Sequence, residues 1–141
     1  MKQRLVREWM TPNVISVKRE DPLPDVHHLM TDKKIRRAPV MDKGKLVGMV
    51  TLGDVLKAEP SDATTLSIWE LNYVLYKLKI EKVMTPKPIT ISPDAFIGEA
   101  AQIMLEKKIG GLPVVETNGS VVGVITVSDI FRMVVEEWMN N

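Results

Sequence analysis

The stretch Gly48-Met49-Val50-Thr51-Leu52-Gly53-Asp54 returns near the end of the chain as Gly123-Val124-Ile125-Thr126-Val127-Ser128-Asp129. The similarity extends towards the N-terminus of both stretches. The matched segments are Met10-Thr11-Pro12 with Met84-Thr85-Pro86, Lys33-Lys34-Ile35 with Lys107-Lys108-Ile109, and Pro39-Val40 with Pro113-Val114. About fifteen identities over roughly fifty aligned positions, in order and with one gap, indicate an internal duplication.

Each copy predicts the element order β-α-β-β-α. An extended stretch is predicted at each Met-Thr-Pro and after it, because proline disfavours helix at the residue before it. A helix comes next, predicted over 95–107 in the second copy with Asp94 as its N-cap. Two strands follow, joined in the second copy by Asn118-Gly119, a strong hairpin signal. A second helix closes each copy, from Val55 onward and over 130–139.

The duplication divides the chain into repeat 1 (1–60), a linker (61–79) and repeat 2 (80–141). The linker begins with a loop-like stretch over 60–65 and continues as a helix opened by a Ser67–Glu70 capping box. The apolar stripe of this helix comprises Leu71, Val74, Leu75 and Leu78. The helix is either a connector packed on the repeats or a surface for a partner or a second copy.

One repeat is too small to bury both faces of its sheet and helices. We therefore predict an α/β fold of the α+β kind, with two β-α-β-β-α repeats packed about a pseudo-twofold axis.

Composition narrows the function classes. The chain has 141 residues, 45% of them hydrophobic, a formal net charge of +1 and no cysteine. The sequence has no block of basic residues of the kind that binds nucleic acid. Without cysteine it can form no disulfide, thiolate metal site or cysteine nucleophile. Because no apolar run follows the N-terminal residues, we expect a cytoplasmic protein without a membrane segment.

Thr51 with Asp54, and Thr126 with Asp129, stand where a strand is predicted to end and a helix to begin. The first amides of a helix lack internal partners and carry partial positive charge, so they receive phosphate well. A carboxylate there can accept hydrogen bonds from ribose hydroxyls. Thr-x-x-Asp before an apolar helix is also a capping motif, and the residues alone leave both interpretations open.

These motifs together resemble the CBS-domain family over nearly the whole chain. The resemblance implies a tandem of the kind called a Bateman module, which usually binds AMP, ADP, ATP or a related adenosyl ligand in clefts between the repeats. Since the sequence shows no catalytic triad, no paired carboxylates in a clear cleft and no Gly-rich phosphate fingerprint, we predict no enzyme and no catalytic residues. The resemblance also implies a homodimer, to which the apolar helices around 71–78 and 130–138 contribute surface. The regulated protein is then expected to be a separate chain.

The resemblance further implies which residues line each cleft. Asp129, Thr126 and Ser128 are expected to face Asn13, Val14, Ile15, Arg36 and Arg37. Asp54 and Thr51 are expected to face Lys87, Pro88, Ile89, Gly110 and Gly111. Pro39 and Pro113 complete the implied binding set. Arg36 and Arg37 would meet phosphates, since the guanidinium fork suits them. Without the family, both arginines fit a solvated basic patch.

Other readings remain. The ribose is common to NAD and S-adenosylmethionine, so either could replace the nucleotide, and a ligand-free dimerisation scaffold is a further alternative. His27 and His28 are adjacent and point apart on a helix, and no third ligand is apparent. We therefore predict no metal site and no catalytic cofactor.

Overall fold

A computed structural model of the chain describes residues 4–60 and 65–140. The described residues form a mixed α and β structure with six α-helices and two sheets. The α-helices are α1 (Val6–Trp9), α2 (Leu23–Lys33), α3 (Leu52–Ala58), α4 (Ile68–Lys77), α5 (Ile97–Lys107) and α6 (Val127–Met139). The strands are β1 (Thr11–Pro12), β2 (Val17–Lys18), β3 (Arg37–Asp42), β4 (Lys45–Thr51), β5 (Thr85–Pro86), β6 (Gly111–Val115) and β7 (Val121–Thr126).

The chain divides into two compact units that do not follow the repeats from end to end. The Asp54 unit is Ile15–Lys87, and the Asp129 unit joins the residues up to Val14 with those from Pro88 onward. The start of repeat 2, residues 80–87, therefore belongs to the Asp54 unit, and the start of repeat 1, up to Val14, belongs to the Asp129 unit. We call these two stretches the lead-in segments. In each unit the short Thr-Pro strand of one repeat pairs with a strand of the other repeat: β1 pairs with β7, and β5 pairs with β4.

The sheet of the Asp54 unit has the order β2-β3-β4-β5. β2 runs parallel to β3, β3 and β4 form an antiparallel pair, and β5 pairs with β4 through Gly48↔Pro86. α2 packs three buried side chains against this sheet because they recur at helical spacing. They are Leu23, Val26 and Met30.

The sheet of the Asp129 unit has the order β1-β7-β6, with Pro12 opposite Gly123. Ile91 makes a parallel bridge to Val114, which corresponds to the place of β2 in the other unit. The buried positions of α5 repeat the pattern of α2. They are Ile97, Ala100 and Met104.

Backbone from the chain that precedes each Met-Thr-Pro caps α5 and α2. The amide of Ile97 donates to the carbonyl of Arg4 at 2.7 Å, and the amide of Leu23 donates to the carbonyl of Leu78 at 2.9 Å. The N-caps of α5 and α2, Phe96 and Pro22, have no side-chain capping bond. These amides, which have no partner within their own helix, are thus satisfied by backbone distant in sequence.

The predicted β-α-β-β-α order is confirmed in repeat 1, and in repeat 2 it holds except that the first strand is reduced to the Ile91 bridge. The hairpin at Asn118-Gly119 and the Ser67 cap of α4 are also confirmed. The Asp94 cap is wrong, because Asp94 pairs with Arg7 instead and α5 begins at Ile97. Val74, predicted in the apolar stripe of α4, is half exposed. Of the predicted loop, residues 61–64 lie outside the described part of the chain.

Candidate functional site

Both Thr-x-x-Asp motifs lie at the junction of a strand and a helix. Thr126 is the N-cap of α6: its hydroxyl accepts from the amide of Asp129 at 3.3 Å, and its own amide donates to Asp129 Oδ2 at 2.9 Å. Thr51 caps α3 in the same way, with distances of 3.0 Å and 2.9 Å to Asp54. The capping interpretation is therefore confirmed in both repeats.

Capping occupies only one oxygen of each aspartate. In both motifs Oδ2 accepts the threonine amide, which leaves Oδ1 outside the capping box. A carboxylate has about four acceptor positions, so capping and binding of a further donor are compatible. The two readings of the motif are not exclusive.

The two aspartates differ in their surroundings. Asp129 is 6% exposed and is the only buried charged residue in the described part of the chain. Its Oδ1 accepts a hydrogen bond from Arg132 Nη2 at 3.2 Å. The same nitrogen donates to the carbonyl of Trp9 at 3.0 Å, and the guanidinium lies 5.6 Å from the centre of the Trp9 ring. Asp54 is half-buried.

Arg132 and Trp9 were not predicted as site residues. The Asp129–Arg132 spacing of three positions on a helix is the signal that could have suggested the ion pair. Nothing in the sequence points to Trp9, because it reaches Arg132 only through the exchanged lead-in segment.

The Asp129 unit brings part of the predicted set together. Gly111 is the register partner of Thr126, and the carbonyl of Gly110 accepts from the amide of Val127 at 3.1 Å. Asn13 follows β1 with a left-handed φ of 53°. The other predicted members of this unit are Val14, Pro88, Ile89, Pro113 and the exposed Ser128.

The Asp54 unit holds the remaining predicted residues. Arg37 is the register partner of Thr51, and the carbonyl of Arg36 accepts from the amide of Leu52 at 2.7 Å. Burial lowers the pKa of the Arg37 guanidinium, and the charge of Asp54 acts against that shift. Arg37 thus lies beside the aspartate of its own repeat. Ile15, Pro39 and Lys87 also belong to this unit.

The predicted partnerships between residues of different repeats stay predictions. Asp129, Thr126 and Ser128 were expected to face Asn13, Val14, Ile15, Arg36 and Arg37, and Asp54 and Thr51 were expected to face Lys87, Pro88, Ile89, Gly110 and Gly111.

His27 forms a side-chain hydrogen bond within its own unit. Its Nδ1 hydrogen-bonds with the Glu59 carboxylate, joining α2 to the residue that follows α3. A cavity of about 210 Å³ lies beside this pair, lined by Leu23, Pro24, His27, His28, Thr31, Glu59 and Leu75. Across residues 4–60 and 65–140, no cluster of three or more His, Cys, Asp or Glu could hold a metal ion. Within those same ranges, no helix combines the length and apolar character needed to cross a membrane.

Comparison with known proteins identifies the family. A model of the CBS domain matches residues 6–61 and again 80–136. The chain belongs to the CBS-domain family and carries two copies. This CBS pair is 32% identical to the uncharacterised protein MJ1426 of Methanocaldococcus jannaschii, with 93% of this chain and 91% of that protein aligned.

Two solved CBS pairs match over nearly their whole length. CBSX2 of Arabidopsis thaliana in complex with AMP has a TM-score of 0.78 at 28% identity, covering 95% of this chain and 98% of that one. The CBS pair of MJ0100, in complex with 5′-methylthioadenosine and S-adenosylmethionine, has a TM-score of 0.80 at 27% identity, covering 96% and 99%.

Other curated relatives are longer proteins. The chain spans between 22% and 46% of the length of four of them. Two relatives have enzyme names, and the chain spans 22% and 24% of those proteins. The comparison covers only a part of each of these two relatives, so it assigns none of their activity to this chain.

Proposed function

We propose that this CBS pair is a regulatory, non-catalytic module that binds an adenine nucleotide, AMP, ADP or ATP. The observation that carries the proposal is the pair of capped Thr-x-x-Asp junctions, each of which leaves Oδ1 of its aspartate outside the capping box. AMP in CBSX2, and S-adenosylmethionine with 5′-methylthioadenosine in MJ0100, support an adenosyl ligand.

In this proposal Oδ1 of the aspartate accepts a hydrogen bond from a ribose hydroxyl, and helix-terminal amides receive phosphate. At Asp129 the exposed hydroxyl of Ser128 adds a donor. Apolar residues of the lead-in stretches, Val14 and Ile15 for one site and Pro88 and Ile89 for the other, sandwich the adenine. In this proposal the ligand is bound and not chemically changed, so no residue acts as a nucleophile or a general base.

The regulatory output requires a ligand that binds one conformation of the pair better than another. We propose that the output passes to a separate protein and that the CBS pair acts as a homodimer. The outer face of α6 supports self-association, with Phe131 65% and Trp138 68% exposed and Val135 between them. Apolar residues at this spacing form a stripe typical of a helix that packs against another element.

That same stripe favours one alternative function. A dimerisation scaffold whose nucleotide sites stay empty would need the α6 face and would not need the acceptor atoms of the aspartates. The two functions differ in whether any adenosyl compound binds.

Calorimetric titration with AMP and ATP tests the proposal on the wild-type chain, Asp129→Asn and Asp54→Asn. Asparagine keeps one oxygen for the cap and replaces the other with a donor. Each variant should lose roughly ten- to a hundredfold in affinity at its own site, the equivalent of about 1.5–3 kcal/mol for a charge-assisted bond.

Asp25→Asn is the matched control, because Asp25 is an exposed acid on α2 outside both motifs. Its affinities should equal those of the wild-type chain. If AMP, ATP, S-adenosylmethionine and NAD all fail to bind the wild-type chain at millimolar concentration, the sensor is excluded and the scaffold stands.

A further inference from the structure

The two repeats differ one helical turn after the aspartate. Arg132 in α6 corresponds to Lys57 in α3, and Trp9 in one lead-in corresponds to Val83 in the other. Arg132 is bonded to Asp129 and to the carbonyl of Trp9, whereas Lys57 is exposed and forms no hydrogen bond or ion pair with any described residue. At this helical position, therefore, the second repeat has an arginine bonded to its aspartate and the first repeat has a lysine that is not.

We propose that Arg132 is a specificity-determining residue, which makes the Asp129 site select nucleoside phosphates over neutral or cationic adenosyl compounds. The inference rests on the proposed function and names the ligand class of one of its two sites. Arg132 Nη2 lies 3.2 Å from Oδ1 of Asp129, the oxygen that a ribose hydroxyl would use.

A ligand that takes Oδ1 must share it with Arg132 or displace the guanidinium. An anionic 5′ substituent gives the displaced guanidinium a new partner, because Arg132 is 53% exposed and carries further donors on its fork. A neutral 5′ substituent gives it none. The sulfonium of S-adenosylmethionine would bring a second positive charge close to it.

The size of the selection follows from Coulomb's law. The 5′ substituent of a nucleoside lies about 6 Å from its ribose hydroxyls, within the Debye length of about 8 Å at physiological salt. One pair of unit charges at that distance changes affinity by roughly threefold in a water-like dielectric and by about a hundredfold at an effective dielectric of about 20. Because the Arg132 guanidinium is half exposed, we expect an effect between these two limits, near tenfold.

The test compares AMP with 5′-methylthioadenosine by calorimetry, in an Asp54→Asn background that leaves one site to observe. Arg132→Gln should lower the AMP to methylthioadenosine affinity ratio about tenfold, with AMP binding weakened and methylthioadenosine binding unchanged or tighter. Arg132→Lys keeps the charge and should keep most of the ratio. Lys57→Gln, the matched change in the first repeat, should not alter it.

An unchanged ratio in Arg132→Gln, or an equal loss for both ligands, would overturn the inference, since a purely structural role weakens both alike. Far-ultraviolet circular dichroism confirms that each variant is folded. If the wild-type chain binds neither ligand, the proposed function itself fails and the inference fails with it. If the wild-type chain binds methylthioadenosine more tightly than AMP at this site, only the inference fails.

Discussion

Gly123→Ala should destabilise the Asp129 unit, because the glycine gives β1 room to pair with β7. A Cβ at residue 123 would lie 2.7 Å from the Thr11 carbonyl oxygen and 2.7 Å from Met10 Sδ. The methionine can turn aside, since its side chain is flexible. The carbonyl cannot, because Thr11 is held in register opposite Val124. The backbone must therefore give by several tenths of an ångström.

Overpacking of this kind costs about 1–3 kcal/mol, which corresponds to a fall in melting temperature of about 3–12 °C for a chain of this length. Scanning calorimetry measures it. Gly53→Ala is the matched control, since a Cβ there meets nothing closer than Thr51 Oγ1 at 3.6 Å and lies within α3. Alanine in a helix gains about 0.5–1 kcal/mol over glycine, so the control should melt higher.

The Met10→Ala, Gly123→Ala double variant separates the two contacts. If the carbonyl is decisive, removing the methionine side chain leaves the loss of stability in place. A Gly123→Ala protein that melts at or above the wild-type temperature would refute the reasoning.

Three further predictions concern charge, backbone and assembly. Replacing Arg36 and Arg37 with alanine should weaken ATP binding at the Asp129 site about tenfold and leave adenosine binding unchanged; in calorimetry, a loss confined to the site that Asp54→Asn removes would assign the arginines to their own repeat. Lys87 has a left-handed φ of 46°, so Lys87→Asn should raise the melting temperature by about 2–4 °C, and a fall would exclude backbone strain there. Phe131→Glu with Trp138→Glu should reduce the mass in light scattering to that of a monomer, and a wild-type chain already monomeric at micromolar concentration would contradict the dimer.

The order of the elements could be predicted because it depends on signals close together in sequence. The caps at Thr51 and Thr126 lie three positions from their aspartates, and Asn118-Gly119 supplies its own hairpin turn. The Asp94 cap was wrong for the opposite reason. Arg7, 87 positions away, draws the Asp94 side chain to itself, and the backbone of Arg4 satisfies the amide at the start of α5.

The exchange of lead-in segments had no sequence signal. β1 and β5 are two residues long, too short to show a period, and their Thr-Pro pairs look the same whichever sheet they join. The exchange also hid part of the candidate site. Arg132 reaches Trp9 across 123 positions only because residues up to Val14 belong to the unit of Asp129.

The same exchange of segments links the proposed ligand site at Asp129 to helix α1. Arg132 donates from one nitrogen to the Asp129 carboxylate and to the Trp9 carbonyl, so a ligand that displaces it from the carboxylate also acts on α1. α1 is tied to the start of α5 through Val6, whose amide donates to the Ala95 carbonyl at 2.8 Å. In the Asp54 unit the equivalent residue, Lys57, makes no such bond with any described residue. The repeats share a backbone plan, and in the second repeat Arg132 couples the aspartate to the exchanged segment. If a nucleotide binds the proposed Asp129 site and displaces Arg132, we therefore expect α1 to move with it.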